Sequence, residues 1–265
     1  SRNEIQIKGK QTTTIHAEKV ILATGSEPRD IGAFPCDGEL IHNSTTILER
    51  ETLPKSIAII GAGYIGCEFA SLFYELGVKV HLLEACPRII PMEAEIIAQQ
   101  IHQSFEERGI HIHTGVQVTG IDKKSKSVVV NLEGGDPIKA DIALVSIGRT
   151  FNTDKIGLEK IALDTTEQGA IDVDSHMETT IPGVYAIGDI TAKWMLAHVA
   201  SHQGLIAAGH ATGEDNVMHY HAVPSVIFTH PEAASVGLSV ERAKEQGLAI
   251  KVGAFPFQAL GKSQA

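Results

Sequence analysis

Ser56-Ile57-Ala58-Ile59-Ile60-Gly61-Ala62-Gly63-Tyr64-Ile65-Gly66-Cys67-Glu68 is the stretch whose reading decides the fold. Its apolar run is short, as in a strand buried on both faces. The three glycines then stand in the spacing G-x-G-x-x-G, and the hydrophobic period changes. A helix is predicted over 63–76, with Ile65, Phe69, Leu72, Phe73 and Leu76 on one face and Gly77 placed to end it. The next strand is predicted over 78–84. Strand, helix and strand make one βαβ unit.

In that context each glycine has a task. Gly61 permits the tight turn, Gly63 lets backbone amides approach a pyrophosphate, and Gly66 lets the helix pack close to the sheet. The free amides and positive dipole end of the helix then favour phosphate. A carboxylate is needed at the end of the second strand, and Glu84 stands there. It would accept hydrogen bonds from a ribose 2′-hydroxyl and repel a 2′-phosphate. Repulsion at ~4 Å costs about 1 kcal/mol in water and about 4 kcal/mol near a protein surface. That corresponds to a roughly tenfold to several hundredfold preference for NAD over NADP. Arg88, four residues on, would soften the preference if it turned toward the site.

Outward from this unit, a second helix is predicted over 93–108, stopped by Gly109. Segments 116–121 and 127–132 flank a Lys-rich hairpin tip. A buried strand over 142–147 ends at Gly148-Arg149. Upstream, strands are expected over 4–8 and 20–23, the latter closing on Thr24-Gly25-Ser26, and 35–54 reads as an irregular connection. Downstream come a strand over 183–187 and a helix over 196–211. Alternating strands and helices predict an α/β chain with a doubly wound, Rossmann-type parallel sheet. Asp189 lies just past a strand end beside Gly188, where it could accept hydrogen bonds from a polyol or cap the next helix.

Bulk properties exclude several classes. A chain of 265 residues can bury one large or two ordinary cores. Its net charge of -10 gives no footprint for nucleic acid and would repel an anionic membrane surface. No run is long and apolar enough for a membrane span. Cys36, Cys67 and Cys86 make no disulfide framework and suggest a reducing, cytoplasmic setting. Of the thirteen histidines, His198 and His202 share a helix face, and His111 and His113 a strand face. Neither pair has a third ligand nearby, so no metal is expected. Cys67 reads as a packing residue, and Glu84 should raise the thiol pKa of Cys86.

Taken in order, Ala23-Thr24-Gly25-Ser26, the glycine stretch through Glu68, Ser146-Ile147-Gly148-Arg149, Val184-Tyr185-Ala186-Ile187-Gly188-Asp189 and Met195-Leu196-Ala197-His198 resemble the pyridine nucleotide–disulfide oxidoreductases. Val226-Ile227-Phe228-Thr229-His230-Pro231-Glu232 resembles the opening of that family's dimerisation domain. The resemblance implies that Gly61, Ala62, Gly63, Tyr64, Ile65, Gly66, Cys67 and Glu68 cradle NAD, with Ile65 and Glu68 nearest the nicotinamide half. Glu84 and Val118 would hold the adenosine half, and Gly148 would touch the cofactor from the opposite strand end. Thr24, Gly25 and Ser26 would approach FAD, Asp189 would hold its ribityl chain, and Met195, Leu196, Ala197 and His198 would pass its ring edge.

It further implies four parts: the end of an FAD-binding domain (1–35), an NAD-binding domain (36–150), a central FAD-contacting domain (151–221) and the start of an interface domain (222–265). The wording of the last segments implies a homodimeric member that oxidises dihydrolipoyl groups of a 2-oxo acid dehydrogenase complex. A mercuric or glutathione reductase-like member is the alternative within the family, and a non-catalytic NAD-binding module the alternative outside it. The family's FAD fingerprint, its cysteine pair and its C-terminal His and Glu have no match here, so an internal portion, inactive alone, is expected.

Overall fold

The computed structural model describes residues 4–263. The outer ends of the first and last expected domains, residues 1–3 and 264–265, lie outside the described residues. A hairpin, β1 (Glu4–Lys8) and β2 (Thr12–His16), comes first, then β3 (Val20–Leu22) and β4 (Ser26–Pro28). The supposed connection at 35–54 contains β5 (Ile41–His42). Then follow β6 (Ser56–Ile60), α1 (Tyr64–Glu75), β7 (Lys79–Glu84), α2 (Glu95–Arg108) and β8 (His111–Thr114). An antiparallel meander of β9 (Val118–Lys123), β10 (Val128–Leu132) and β11 (Ile138–Ala140) precedes β12 (Ile142–Val145) and β13 (Arg149–Phe151). The remainder is β14 (Val184–Ala186), α3 (Ala197–Ala211), the hairpin β15 (Pro224–Ile227) and β16 (Ala233–Val236), and α4 (Val240–Glu245).

The central sheet is parallel, in the order β5-β12-β6-β7-β8. Side chains alternate across it, and each face has its own core. Ile57, Ile59, Val80, Leu82, Ile142 and Leu144 point to the side of α1 and α2, where they meet Cys67, Ala70, Phe73, Ile101 and Phe105. Ala58, Ile60, Leu83, Ala143 and Val145 point the other way, onto Val128 and Val130 of β10 and Ile138 and Ala140 of β11. Where a doubly wound sheet carries helices on its second face, this one carries the meander. The chain leaves β6 toward β7 on one side and returns at β12 on the other. A crevice therefore opens beyond the carboxyl ends of β6 and β12, the place where such sheets receive ligands.

Helix α1 runs as expected, but its buried stripe differs. Leu72 and Leu76 are 47% and 49% exposed, and the buried positions are Gly66, Cys67, Ala70, Ser71 and Phe73. Phe73 of the expected stripe is buried and Phe69 packs against the core, and the rest of the inward face is made of small side chains that let the helix lie close to the sheet. The C-terminal hairpin then covers part of α1. Ile227 joins the helix-side core, and the amides of Phe228 and His230 donate to Glu68 Oε1 at 3.0 Å and Ser71 Oγ at 2.9 Å.

A separate core forms under α3, where β14 lies parallel to β3 and Tyr185, Ile190, Val199 and Ala207 are buried. Strand β4 pairs antiparallel with β13, Ser26 opposite Phe151 and Pro28 opposite Arg149. That pairing fastens the N-terminal strands to the corner leaving β12.

The stripe can be tested by urea denaturation. Ala70→Leu should cost about 1–3 kcal/mol by overpacking, while Leu72→Gln should stay within about 0.5 kcal/mol. The reverse order would restore the stripe expected from hydropathy.

Candidate nucleotide-binding site

At the turn after β6, two of the three glycines are demanded by the fold. Gly61 has φ +98°, and a Cβ there would lie 2.6 Å from the Ser146 carbonyl oxygen. A Cβ on Gly66 would lie 1.9 Å from the Gly61 carbonyl oxygen and 2.9 Å from Ser146 Oγ. Gly63 is different. Its φ is -72°, ordinary for any residue, and a Cβ would meet nothing within 4 Å. The space in front of it is open, at the N-cap of a helix that no side chain caps. The first amides of such a helix lack intrahelical acceptors.

Glu84 stands beside this turn at the end of β7. Its Oε2 accepts from the Ala62 amide at 2.7 Å and its Oε1 from the Cys86 amide at 2.8 Å. The carboxylate thus joins the glycine turn to the end of the neighbouring strand. An ionised carboxylate offers about four acceptor sites, so it retains capacity for a sugar hydroxyl. Arg88 is directed away, its Nη2 donating to the carbonyls of Pro91 and Glu93 at 2.9 and 3.0 Å. The hydrogen bond with Glu84, and then burial, push the Cys86 thiol pKa up.

The other residues marked in the sequence divide by orientation. Ile65 is half-buried near the turn. Tyr64 donates its hydroxyl to Glu93 Oε1 at 2.6 Å, and burial followed by Glu93 pushes its pKa up to about 12. Glu68 is shared with the C-terminal hairpin through the Phe228 amide. Ala62 and Cys67 have no exposed surface. The Cys67 thiol donates to the Ala62 carbonyl, and burial raises its pKa strongly. Its side chain packs under the turn and offers nothing to a ligand. Val118 likewise turns its side chain into the core beneath the meander. The loop before it is tied to the acidic corner, Gly115 N–H to the Cys86 carbonyl and Val116 N–H to the Glu84 carbonyl. Gly148 lies past the end of β12, where its carbonyl accepts from the Arg29 amide at 3.0 Å.

A second cluster adjoins the first. Ser26 Oγ donates to Asp189 Oδ2 at 2.5 Å, and Arg149 donates from Nε to Ser26 Oγ at 2.6 Å and from Nη2 to the Ser26 carbonyl at 2.7 Å. The guanidinium itself stands 3.8 Å from Asp189. Thr24 Oγ1 donates to the Asn152 carbonyl, and Asn152 Nδ2 donates back to the Thr24 carbonyl. Gly25 lies between them with open space in front of it. Asp189 sits inside a one-turn 3-10 segment, Gly188–Thr191, whose N-cap is Ile187, so its carboxylate caps no helix. Met195, Ala197 and His198 are exposed at the uncapped start of α3, with Leu196 half-buried. His198 Nε2 lies 3.0 Å from the Pro224 carbonyl.

The structure thus gathers the first group around the β6–β12 crevice and the second around Asp189, and the adjacent residues Gly148 and Arg149 belong one to each. Sequence reasoning missed Ser146, whose hydroxyl donates to the Gly61 carbonyl at 2.8 Å, as well as Arg149, Asn152 and the fully buried Gln203, which accepts from the Gly188 amide. Ser146 and Arg149 flank Gly148 inside a motif already noticed, which was the available signal. Gln203 gave none. Tested for fit, the crevice has the open glycine, the helix amides and the carboxylate that a dinucleotide needs. The Asp189 cluster has the polar groups a polyol needs.

The family profile described as pyridine nucleotide-disulphide oxidoreductase matches residues 2–204, and that of its dimerisation domain matches residues 223–265. Among curated relatives, dihydrolipoyl dehydrogenase of Chlamydia pneumoniae is 47% identical over 266 residues, covering 100% of this chain and 57% of that protein. A Bacillus subtilis dihydrolipoyl dehydrogenase is 38% identical, covering 99% and 58%. Among solved structures, LpdA of Mycobacterium tuberculosis superposes with a TM-score of 0.92 at 29% identity, covering 98% of this chain and 57% of that one. The Escherichia coli flavoprotein disulfide reductase RclA gives 0.88 at 28%, covering 99% and 60%. The chain therefore spans somewhat more than half the length of these proteins.

Two substitutions separate the glycines by thermal denaturation. Gly66→Ala should destabilise by more than about 3 kcal/mol, because backbone must move. Gly63→Ala should change stability by no more than about 1 kcal/mol, the range of an N-cap change. Equal losses would mean that Gly63, too, is held by packing.

Proposed function

The chain belongs to the pyridine nucleotide-disulphide oxidoreductases, and on that premise we propose that it serves the oxidation of dihydrolipoyl groups by NAD, holding NAD at the glycine turn and part of FAD at the Asp189 cluster. The observation that carries this reading is the unfilled space before Gly63 beside a carboxylate already fixed in place. The names of the relatives support the substrate class.

In this proposal the amides at the start of α1 and Gly63 bind the pyrophosphate. Glu84 orients the adenosine ribose, Gly148 closes the crevice from β12, and Ile65 and Glu68 lie toward the nicotinamide. Thr24, Gly25, Ser26 and Asp189 hold the flavin polyol, and the start of α3 borders its ring. Flavin and nicotinamide supply the redox chemistry when bound, and the protein's part is to position them. Glu84, with Arg88 turned away, weighs against a 2′-phosphate and so against NADP-dependent members. The cysteines at 36, 67 and 86 do not match the pair that the family resemblance implies, and the part proposed for the residues named here is binding and orientation.

The proposed division is an FAD-binding part to residue 35, an NAD-binding part over 36–150, a central part over 151–221 and an interface part from 222. The separate cores beside the parallel sheet and under α3 support it. The match of the dimerisation-domain profile supports a homodimer. Free cysteines support a reducing, cytoplasmic setting. No helix among the described residues is long and apolar enough to cross a membrane. Lipoyl groups of a 2-oxo acid dehydrogenase complex are the proposed partner.

Calorimetric titration tests the reading. NAD should bind at least about tenfold more tightly than NADP, and Gly63→Ala should weaken NAD by about tenfold, one lost or obstructed hydrogen bond, with melting nearly unchanged. Equal affinities for the two nucleotides would remove Glu84 from the site.

A further inference from the structure

Three histidines meet at the outer edge of the sheet, on the face that also carries the meander. Strand β7 pairs with β8 so that His81 lies opposite His111 and Leu83 opposite His113. The rings of His81 and His111 stack at 4.8 Å between centroids, those of His81 and His113 at 5.6 Å, and His81 Nδ1 is 3.3 Å from His113 Nε2. One hydrogen bond between imidazoles at that distance requires one ring nitrogen to carry no proton. If both were protonated, two N–H donors would face each other with two like charges behind them.

The groups acting on His81 are Lys79, His111 and His113, and on His113, His111, all cationic when protonated. On the opposite side of β7, β6 presents Ala58 to His81. Alternation along β7 sends Glu84 to the other face. Burial first, then these neighbours, hold His81 down to about 4 and keep His113 below its ordinary value.

This strand pair ends in the nucleotide crevice. Glu84 is paired with Thr114, the next amides, Gly115 and Val116, bond to the carbonyls of Cys86 and Glu84, and Glu84 in turn holds the Ala62 amide of the glycine turn. β8 is the outermost strand of its sheet. Its pairing with β7 can therefore open without disturbing another strand.

We propose that the His81–His111–His113 stack is an acid-sensitive fastening of β8 to β7, which on protonation loosens the Glu84 corner and lowers affinity for dinucleotide. The inference rests on the NAD reading of the crevice. The sign follows from linkage. A histidine whose pKa is depressed in the closed state takes up protons more readily when the strands part, so closure is favoured above the free-histidine pKa and lost as pH falls below it. Between a free value of about 6.5 and a closed value of about 4, the ratio of open to closed forms at pH 5.5 should exceed that at pH 7.5 by up to roughly tenfold.

Hydrogen exchange over residues 84–86 and 111–118, corrected for intrinsic pH dependence, and NAD titration by calorimetry should be run on the whole chain at both pH values. In the unmodified chain, exchange of the Gly115 and Val116 amides should rise several-fold at pH 5.5, and NAD affinity should fall measurably, in proportion to the closed fraction. In His81→Val, and to a lesser degree in His113→Gln, both responses should flatten, although Glu84 is unchanged. Exchange that does not respond to pH, or responds equally in both variants, overturns the fastening. Exchange that responds while NAD affinity does not overturns its link to the site. If NAD binds at neither pH, the NAD reading fails, and the proposed effect on nucleotide falls with it. Exchange still decides independently whether the histidines act as a fastening. A variant that melts below the working temperature at pH 7.5 would show the stack to be structural and also overturn the proposal.

Discussion

Everything at the crevice depends on how closely helix α1 can approach the turn that precedes it. The Gly61 carbonyl, Gly66 and Ser146 meet in a space where one methyl group cannot be added, since its carbon would fall 1.9 Å from an oxygen. Because the helix start is pressed against the turn and Ser146, its first amides, which lack intrahelical acceptors, lie beside the open space before Gly63. Moving the helix outward by the width of a side chain would redirect them. Glu84 acts on the same turn from the other side. Its carboxylate takes the Ala62 amide, which gives that donor a partner and sets an acidic oxygen beside the opening. Steric exclusion sets the turn, and a charge-assisted hydrogen bond of the kind that is stronger than a neutral one keeps it there.

The second cluster is built on different physics. No glycine brings backbone against backbone at Asp189; the carboxylate is reached through a chain of polar contacts from Arg149 to Ser26 to Asp189. Arg149 follows Gly148 directly, so the end of β12 faces two groups of candidate ligand-contacting residues within one peptide unit. In the proposed function, the two cofactors would then meet at a corner of continuous backbone, which limits how far one can shift relative to the other.

Much of this was legible in the sequence. The 56–84 unit was readable because strand, turn and helix carry opposed periods and glycines fall where steric need is greatest. The family resemblance assigned Ser26 and Asp189 to the same cofactor, but their direct hydrogen bond was not foreseen. The buried stripe of α1 was misread in part: Phe73 is buried as expected, but hydropathy ranks Leu72 above Ala70 and close packing reverses that ranking. Strand β5 was invisible: two residues, Ile41 and His42, carry no periodic signal and are strand only because β12 lies beside them. The meander was half seen, as a hairpin, and nothing in Val128 or Val130 tells that they cover Ala58 and Ile60. Glu68 shows a further limit, because its bond to the Phe228 amide joins residues 160 apart.

The partnership of Ser146 with Gly61 also bears on how the chain comes into being. The two are 85 positions apart, and at a synthesis rate of about 5–20 residues per second, Ser146 is made roughly 4–17 seconds after Gly61. During that interval β6 and β7 can pair through the intervening helix, but the edge of β6 destined for β12 has no partner. The glycine turn thus waits, with the apolar strand before it, for a distant serine to emerge from the ribosome.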